Sequence, residues 1–254
     1  MPKDKSIRRG GLARGLRLSL AGARAGGAFA VDGTLRKLRG DSPDYDALLS
    51  REAHRFARQL GELKGSYVKI GQLLALLGEH FLPAPLTQAL HELEAQTKPV
   101  AWPEMQSVLR SGLGAHYSEL EIEPEALAAA SLAQVHRARI ISTGEHVVVK
   151  GQYPDLTALL DEDFNTVVKM LRLARWIPGS QDFDSWLATL HTQLLAEIDY
   201  PREHRMAQAM SDGLSRHAAL QNAPVAIRIP QFWPELCSTC VLTMEYIEGN
   251  RAAS

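Results

Sequence analysis

The first part of the chain carries apolar residues at helical spacing. Residues 43–81 predict two helices, and Gly61 and Gly65 mark a break between them. Prolines then open two shorter helices, one that follows Pro83 and one over residues 104–109. The pattern therefore predicts a helical layer before any strand.

Alternation of apolar and polar residues takes over after residue 115. Apolar and acidic residues alternate over residues 120–123. A run of three valines, residues 147–149, then lies in the second strand of a predicted β-hairpin. The predicted strands are residues 120–123, 133–141, 146–150, 225–229 and 241–246, and the hairpin turn is residues 142–145. Short strands of this kind predict a small sheet.

Helical spacing returns between the hairpin and the last two strands. Residues 155–177 predict one long amphipathic helix, and residues 183–210 predict a second that kinks or restarts at Pro201, because proline removes a hydrogen bond from a helix interior. Together these elements predict an α+β fold, with a helical extension over residues 41–115 and a sheet unit over residues 116–254.

Composition narrows the classes of function. The apolar fraction is 45% and the charged fraction 22%, which is ordinary for a globular protein, and the net charge of −1 gives no electrostatic basis for binding nucleic acid. Two cysteines form no disulfide framework, which indicates a reducing compartment. The sequence contains neither a long apolar run nor a secretory signal. We therefore expect a cytoplasmic protein, with peripheral association with the inner membrane as an extension of that expectation.

Positive charge is concentrated in residues 1–40. This segment has ten lysine or arginine residues and two acidic residues, a net charge of +8, whereas the whole chain has −1. Such a segment can lie on an anionic membrane surface or bind an acidic partner. A flexible, solvated tail and an organelle transit peptide are the other interpretations, since the segment is rich in glycine and arginine and poor in acids.

The hairpin carries the strongest chemical signal. Small residues precede its first strand, and Lys150 closes its second strand. This order resembles the upper lobe of a protein kinase, where a loop covers the ATP phosphates and a strand lysine binds the α- and β-phosphates. Because alanines replace the kinase glycines, the stretch resembles the UbiB/AarF family of atypical kinases. The resemblance implies nucleotide contacts from Ala128, Ala129, Ala130, Ser131, Gln134 and Lys150.

The resemblance extends over residues 60–249, with the family's motifs in order. Residues 241–246 are similar to the strand that leads into the kinase hinge. This implies that Glu245, Tyr246 and Ile247 bind the adenine of ATP or ADP. Gly151 departs from the family, which has a strand-type valine there, so we expect a looser strand end and weaker placement of Lys150.

A lysine that fixes a phosphate needs a carboxylate partner, which in kinases comes from a helix after the third strand. Residues 196–203 supply candidates. On one helix Glu197 and Glu203 would point in different directions, since six residues turn through about 600°, so one of them serves Lys150. The family pattern implies that Glu203 pairs with Lys150, and that Glu197 and Asp199 face the helical extension. Without the resemblance these acids would be a solvated helix flank.

The helical extension contains Lys69-Ile70-Gly71-Gln72, which matches the Lys-x-Gly-Gln motif of the family. Lys69 and Gln72 share a helix face, and Gly71 allows another helix to approach closely. The resemblance implies that this helix covers the nucleotide cleft, where Lys69 and Gln72 meet Glu197 and Asp199. Taken alone, Lys69 is an ordinary exposed helix lysine.

Phosphoryl transfer also needs a catalytic-loop Asp and Asn and a metal-binding Asp, which in kinases follow the hinge. The sequence ends eleven residues after Thr243 without such residues, so we expect the second lobe and the Mg²⁺ ligands to be absent. Asp182-Phe183-Asp184 resembles the metal-binding motif but precedes the hinge. Cys237 and Cys240 offer two of the four ligands that zinc prefers, and the histidines form no His-Glu-x-x-His motif, so no metal site is expected.

Two functions are open. The first is the N-terminal portion of a UbiB/AarF-type kinase or ATPase, which binds ATP weakly, if at all, without a second lobe. The family role implied is in ubiquinone or other isoprenoid-lipid biosynthesis. The second is a truncated pseudokinase whose helical face binds a lipid or a protein partner without turnover. A purely structural helical protein leaves the hairpin and its lysine unexplained.

Overall fold

The computed structural model describes residues 45–63, 65–78, 80–93, 99–177, 181–216 and 227–249. Its helices are α1 (Tyr45–Leu63), α2 (Ser66–Leu77), α3 (Ala84–His91), α4 (Trp102–Leu113), α5 (Leu156–Leu173), α6 (Gln181–Ala196) and α7 (Tyr200–Arg216). Its strands are β1 (Leu120–Ala129), β2 (Ala133–Ile140), β3 (His146–Gln152) and β4 (Val241–Glu245), and two short 3₁₀ helices cover Gly114–Glu119 and Pro234–Leu236. The contacts among these elements divide the chain into two compact units.

The helical unit contains α1, α2, α3, α5 and nearly all of α6. Helix α3 packs against α1 and α2, and α5 packs against α2. Gly65 joins α1 to α2 with a φ of 61°, a left-handed conformation that glycine adopts without strain. The break predicted near Gly61 and Gly65 therefore lies at Gly65. The largest side chains of this unit that are almost fully buried are Leu60, Tyr67, Ile70, Leu74, Leu86, Leu90, Leu160 and Phe183.

The sheet unit contains α4, α7 and the four strands, which lie in the order β1-β2-β3-β4 with every neighbouring pair antiparallel. Helix α4 covers one face of the sheet. Its Leu109 and Leu113 pack in a cluster with Val149 and Val241, which project from that face. Because side chains alternate along a strand, Lys150 projects from the opposite face, which we call the Lys150 face.

The two units differ from the predicted division at residues 115 and 116. Helix α4 precedes that boundary, yet its leucines are in the core of the sheet unit. Helix α5 follows the boundary, yet it belongs to the helical unit. An amphipathic pattern predicts that a helix buries one face, but the pattern carries no information about which neighbour covers that face.

The predicted strand at residues 225–229 is not found. Residues 225 and 226 lie outside the described residues, and residues 227–229 are not in a strand. Backbone hydrogen bonds from this part of the chain to β4 begin only after Pro230, where the amide of Trp233 donates to the carbonyl of Thr243 at 3.1 Å and the carbonyl of Gln231 accepts from the amide of Glu245 at 2.8 Å. Proline offers no amide hydrogen to a ladder, which limits pairing on that side.

Candidate functional site

Lys150 and Glu203 form the central ion pair of the sheet unit. Lys150 lies on β3, and Glu203 lies in the first turn of α7. The Nζ atom of Lys150 donates to Oε1 of Glu203 at 2.9 Å and to Oε2 at 2.8 Å. The two side chains are 26% and 39% exposed, so the amine is fixed by one carboxylate and still reaches solvent. A second anion can therefore approach the same amine.

The ring of Tyr200 contacts the amine of Lys150. The ring centroid lies 4.7 Å from Nζ of Lys150, within the range of a cation–π interaction. Burial, followed by the charge of Glu203, raises the pKa of Tyr200 well above its ordinary value, so the phenol stays neutral. The lysine thus has a neutral aromatic partner on one side and an anionic partner on another. Sequence analysis did not single out Tyr200.

An apolar strip lies beside the ion pair on the Lys150 face. Register places Val135 of β2 opposite Lys150 and Ala128 of β1 opposite Val135. Val148, two residues before Lys150, is on the same face and lies opposite Met244 of β4. Val135 and Val148 were missed from sequence, although alternation from Lys150 and a correct register would have found them, whereas Met244 was expected to bind ATP as part of the hinge. The strip makes the surface beside Lys150 apolar.

The alanine segment is part strand and part turn. Ala128 and Ala129 pair with β2, and residues 130–132 form the turn into β2. The amide of Ala130 donates to the carbonyl of Ala133 at 2.8 Å. Tyr153 closes the turn from the end of β3, with Oη donating to the carbonyl of Ala130 at 2.8 Å and its amide to the carbonyl of Leu132 at 3.1 Å.

The expected nucleotide contact from the Gln134 side chain does not fit the structure. Gln134 is buried on the face opposite Lys150, under the segment that leads into α4. Its Oε1 accepts from the amide of Val100 at 2.8 Å, and its Nε2 donates to the carbonyl of Val100 at 3.3 Å and contacts Nε2 of His136 at 3.0 Å. Gln134 therefore fastens the chain before α4 to the sheet.

The acidic segment before α7 is also arranged differently from the expectation. Glu197 and Asp199 lie in the turn that precedes α7, so the argument that placed Glu197 and Glu203 on one helix was wrong. Asp199 caps α7, because its Oδ1 accepts from the amide of Arg202 at 2.9 Å. Gln152, on the same face as Lys150, reaches this turn as well and donates to the carbonyl of Ile198 at 2.6 Å.

Gly151 tightens the packing of β3 instead of loosening the strand end. It is paired with both neighbouring strands and is buried. A Cβ added at this position would lie 2.8 Å from Cδ2 of Leu109 and 2.9 Å from Cε of Met105. The absence of a side chain thus lets α4 approach β3 closely. The expectation that Gly151 loosens the strand end and weakens the placement of Lys150 is therefore wrong in its physical reason, because this glycine is tightly packed.

Of the hinge residues, Glu245 is the last residue of β4, and Tyr246 and Ile247 follow the strand. The side chain of Glu245 forms an ion pair with Arg228, and the amide of Tyr246 donates to the carbonyl of His146 at 3.4 Å. The ring of Tyr246 lies 5.4 Å from the guanidinium carbon of Arg137, and Ile247 is exposed. The adenine contact expected of Glu245, Tyr246 and Ile247 stays a prediction.

The Lys-x-Gly-Gln motif lies on α2, within the helical unit. The side chain of Gln72 donates to the carbonyl of Leu93 at 3.3 Å. A Cβ added at Gly71 would collide with Leu93, which follows α3, and lie 3.3 Å from Cδ1 of Leu60 on α1, so Gly71 allows these two segments to approach α2. The expected meeting of Lys69 and Gln72 with Glu197 and Asp199 joins the two units and stays a prediction.

Clusters of metal-ligating residues and the two cysteines are the other candidates for chemistry in the part of the chain that the structure describes. Within it, no group of three or more His, Cys, Asp or Glu residues could hold a metal ion. Cys237 and Cys240 are free, and burial raises the pKa of Cys237 above its ordinary value, which disfavours the reactive thiolate. Of the described helices, none combines the length and the hydropathy that a membrane-spanning segment requires.

An antiparallel sheet whose third strand carries a lysine paired with a glutamate of a later helix defines the class as a protein kinase-like upper lobe. The chain belongs to the ABC1 atypical kinase-like domain family, which it matches over residues 92–253. This confirms the α+β kinase-like fold and the UbiB/AarF family expected from the motifs.

Three similar proteins come from three different organisms. The mitochondrial atypical kinase COQ8 of Saccharomyces cerevisiae is 29% identical over 98% of this chain and 49% of its own length. The AarF domain-containing protein kinase 1 of Xenopus tropicalis is 33% identical over 85% of this chain and 41% of its own length. A solved structure of Rv3197 with erythromycin from Mycobacterium tuberculosis is 27% identical, with a TM-score of 0.47, over 80% of this chain and 50% of that one. The chain thus spans half or less of the length of these relatives.

Proposed function

We propose that the chain binds an adenine nucleotide, ATP or ADP, on the Lys150 face of its sheet. The observation that carries the proposal is the bidentate pairing of Lys150 with Glu203 at 2.9 and 2.8 Å, which fixes a partly exposed cation beside the alanine turn. In kinase-like lobes a lysine in this position binds the α- and β-phosphates. The family match supports the same assignment.

Each part of the Lys150 face has a role in this proposal. The apolar strip of Ala128, Val135, Val148 and Met244 receives the flat adenine ring, and residues 245–247 bind its edge. The turn at residues 130–132 and Lys150 contact the phosphates. The described residues do not fit a magnesium site. The proposal for these residues is therefore nucleotide binding, and no step of phosphoryl transfer is assigned to them.

For the protein as a whole we propose an atypical kinase or ATPase with a role in ubiquinone or other isoprenoid-lipid biosynthesis. The family match and the similarity to COQ8 proteins support this role. Under the alternative, the helical face binds a lipid or a protein and no nucleotide is turned over. Hydrolysis of ATP that is lost in Lys150→Met would favour the first.

Titration of the chain with ATP and ADP, followed by calorimetry, tests the binding proposal. Lys150→Met should weaken binding at least tenfold, because it removes a charge-assisted contact to phosphate worth about 1.5–3 kcal/mol. Lys169→Met removes an exposed lysine of α5 and is the matched control, with no expected change. Equal affinity of the wild-type and Lys150→Met chains would exclude Lys150 from the site.

The basic segment supports a second proposal, namely that residues 1–40 attach the chain to an anionic membrane surface, with its location on the inner membrane as a peripheral protein. The net charge of +8 in this segment is the supporting observation. Vesicles that contain anionic lipid should sediment the full chain, and removal of residues 1–40 should release it. Sedimentation of both chains in equal amount would contradict the proposal, and neutral vesicles are the control.

A further inference from the structure

Tyr153 is the residue that closes the alanine turn. It follows β3 directly and is 6% exposed. Its hydroxyl donates to the carbonyl of Ala130 at 2.8 Å, and its amide donates to the carbonyl of Leu132 at 3.1 Å. The carbonyls at the two ends of the turn are therefore both directed towards Tyr153.

Peptide geometry connects these carbonyls to the rest of the turn. The carbonyl of Ala130 and the amide of Ser131 belong to one planar unit, and in a trans peptide they point in opposite directions. No cis peptide bond occurs in the described residues. By binding the carbonyl of Ala130, the Tyr153 hydroxyl turns the N–H of Ser131 away from itself. No residue in the described ranges accepts a hydrogen bond from this amide.

The alanine composition of the turn explains why the hydrogen bond from Tyr153 can fix its conformation. A turn of glycines can rotate its peptide units freely, whereas Cβ atoms restrict the dihedral angles of a turn of alanine, serine and leucine. One orientation of the Ala130–Ser131 peptide can then be selected by a single hydrogen bond. Backbone amides arranged by a turn are established binders of phosphate groups in proteins.

We propose that Tyr153 is a positioning residue, which orients the Ala130–Ser131 peptide so that the Ser131 amide binds a nucleotide phosphate. The inference rests on the proposed nucleotide function and adds a residue from outside the alanine segment and the Lys150–Glu203 pair. Tyr153 touches no substrate in this account. It acts through the carbonyl of Ala130.

Tyr153→Phe tests the inference, because it removes the hydroxyl and keeps the buried ring. Tyr117→Phe is the matched control in the same unit, since its hydroxyl accepts a hydrogen bond from Gln106 at 3.2 Å. Both variants and the wild-type chain are titrated with ATP, ADP and adenosine, and their melting temperatures are measured. Tyr153→Phe should weaken ATP and ADP roughly fivefold, the factor for one hydrogen bond, and leave adenosine unchanged.

The ligand without phosphate separates positioning from a general structural role. An equal loss of adenosine affinity would mean that Tyr153 only stabilises the lobe, and this result overturns the inference. Unchanged affinity for all three ligands overturns the inference but leaves the proposed function intact. A wild-type chain that binds none of them overturns both.

Amide hydrogen exchange gives a readout that needs no ligand. In Tyr153→Phe the amides of residues 130–133 should exchange faster, because the turn opens more often without the hydroxyl. The paired amides of β3 and β4 should exchange at the wild-type rate, and Tyr117→Phe should leave both regions unchanged. Equal exchange at residues 130–133 in the wild-type and Tyr153→Phe chains would show that the hydroxyl does not hold the turn.

Discussion

The sheet unit and the helical unit fix their motif residues by different means. In the sheet unit, the end of β3 is fixed by hydrogen bonds to distant parts of the chain: Lys150 binds Glu203, Gln152 binds the turn before α7, and Tyr153 binds the alanine turn. In the helical unit, Gly71 is fixed by leucines that pack against α2. Lys150, which is partly exposed, can therefore be replaced with small loss of stability, whereas the glycine of the helical motif cannot.

The largest expected effect is at Gly151, a β3 position that is fixed by packing against α4. Gly151→Val places a branched side chain against Met105 and Leu109, where even a Cβ would lie within 2.9 Å of both side chains. Overpacking of this kind costs about 1–3 kcal/mol of unfolding free energy. Urea unfolding measures the loss.

A second substitution tests the cause of that loss. Met105→Ala should by itself destabilise the chain, because it leaves a cavity. In the double variant with Gly151→Val, the two effects should partly cancel, since the valine fills the space that the methionine leaves. Strict additivity of the two losses would mean that α4 does not restrict residue 151.

Gly71→Ala should give the next largest effect. The new Cβ would collide with Leu93 and crowd Leu60, at an overpacking cost of about 1–3 kcal/mol. Alanine also gains about 1 kcal/mol of helix propensity over glycine, so the net loss should be about 1 kcal/mol. Gly213→Ala on α7 is the control, because nothing lies within 4 Å of its added Cβ. It should stabilise the chain, and a gain at both positions would contradict close packing at Gly71.

The pairing of Lys150 with Glu203 was within reach of the sequence, and the face of Gln134 was as well. A hairpin with its turn at residues 142–145 pairs Lys150 with residue 137, whereas the structure pairs Lys150 with Val135. A shift of two residues keeps every side chain on its face. Alternation along the predicted hairpin was thus sufficient to place Gln134 on the other face of the sheet from Lys150. The family resemblance nevertheless assigned Gln134 to the nucleotide site.

Gly151 and the division into units were beyond the sequence. Whether a glycine loosens a strand or admits a neighbour depends on what packs against it, and that neighbour is α4, about forty residues earlier. Likewise, the periodicity of α5 predicts a buried face but does not identify α2 as its partner. Tyr153 carried a weaker signal, as a buried phenol needs a partner for its hydroxyl.

A smaller effect should appear as a pH dependence of the sheet unit. His136 is buried, its Nδ1 donates to the carbonyl of Glu123 at 2.8 Å, and burial lowers its pKa below the ordinary 6.5. Below about pH 6.5 the unfolded chain therefore takes up a proton that the folded chain does not. The free energy of unfolding should therefore decrease as the pH is lowered. Above that pH this residue contributes no slope.

Urea unfolding at about pH 7.5 and about pH 5.5 measures this slope. His136→Gln should lower stability at both values and reduce the difference between them. His116→Gln, at an exposed histidine beside Glu119, is the control and should keep the wild-type difference. An unchanged difference in His136→Gln would assign the pH dependence to other groups.

The smallest effect on stability should come from the ion pair on which the proposed function depends. Glu203 is 39% exposed, and pairs at such positions contribute about 0–1 kcal/mol, so Glu203→Gln should change the free energy of unfolding by no more than that. Asp163→Asn in the helical unit is the matched comparison, because this carboxylate is fully buried and accepts a hydrogen bond from Ser66. Asp163→Asn should lower the free energy of unfolding by about 1–3 kcal/mol. If Glu203→Gln were the more destabilising change, the pair would be a structural element of the sheet unit, and the contrast between the two units would fail at its central residue.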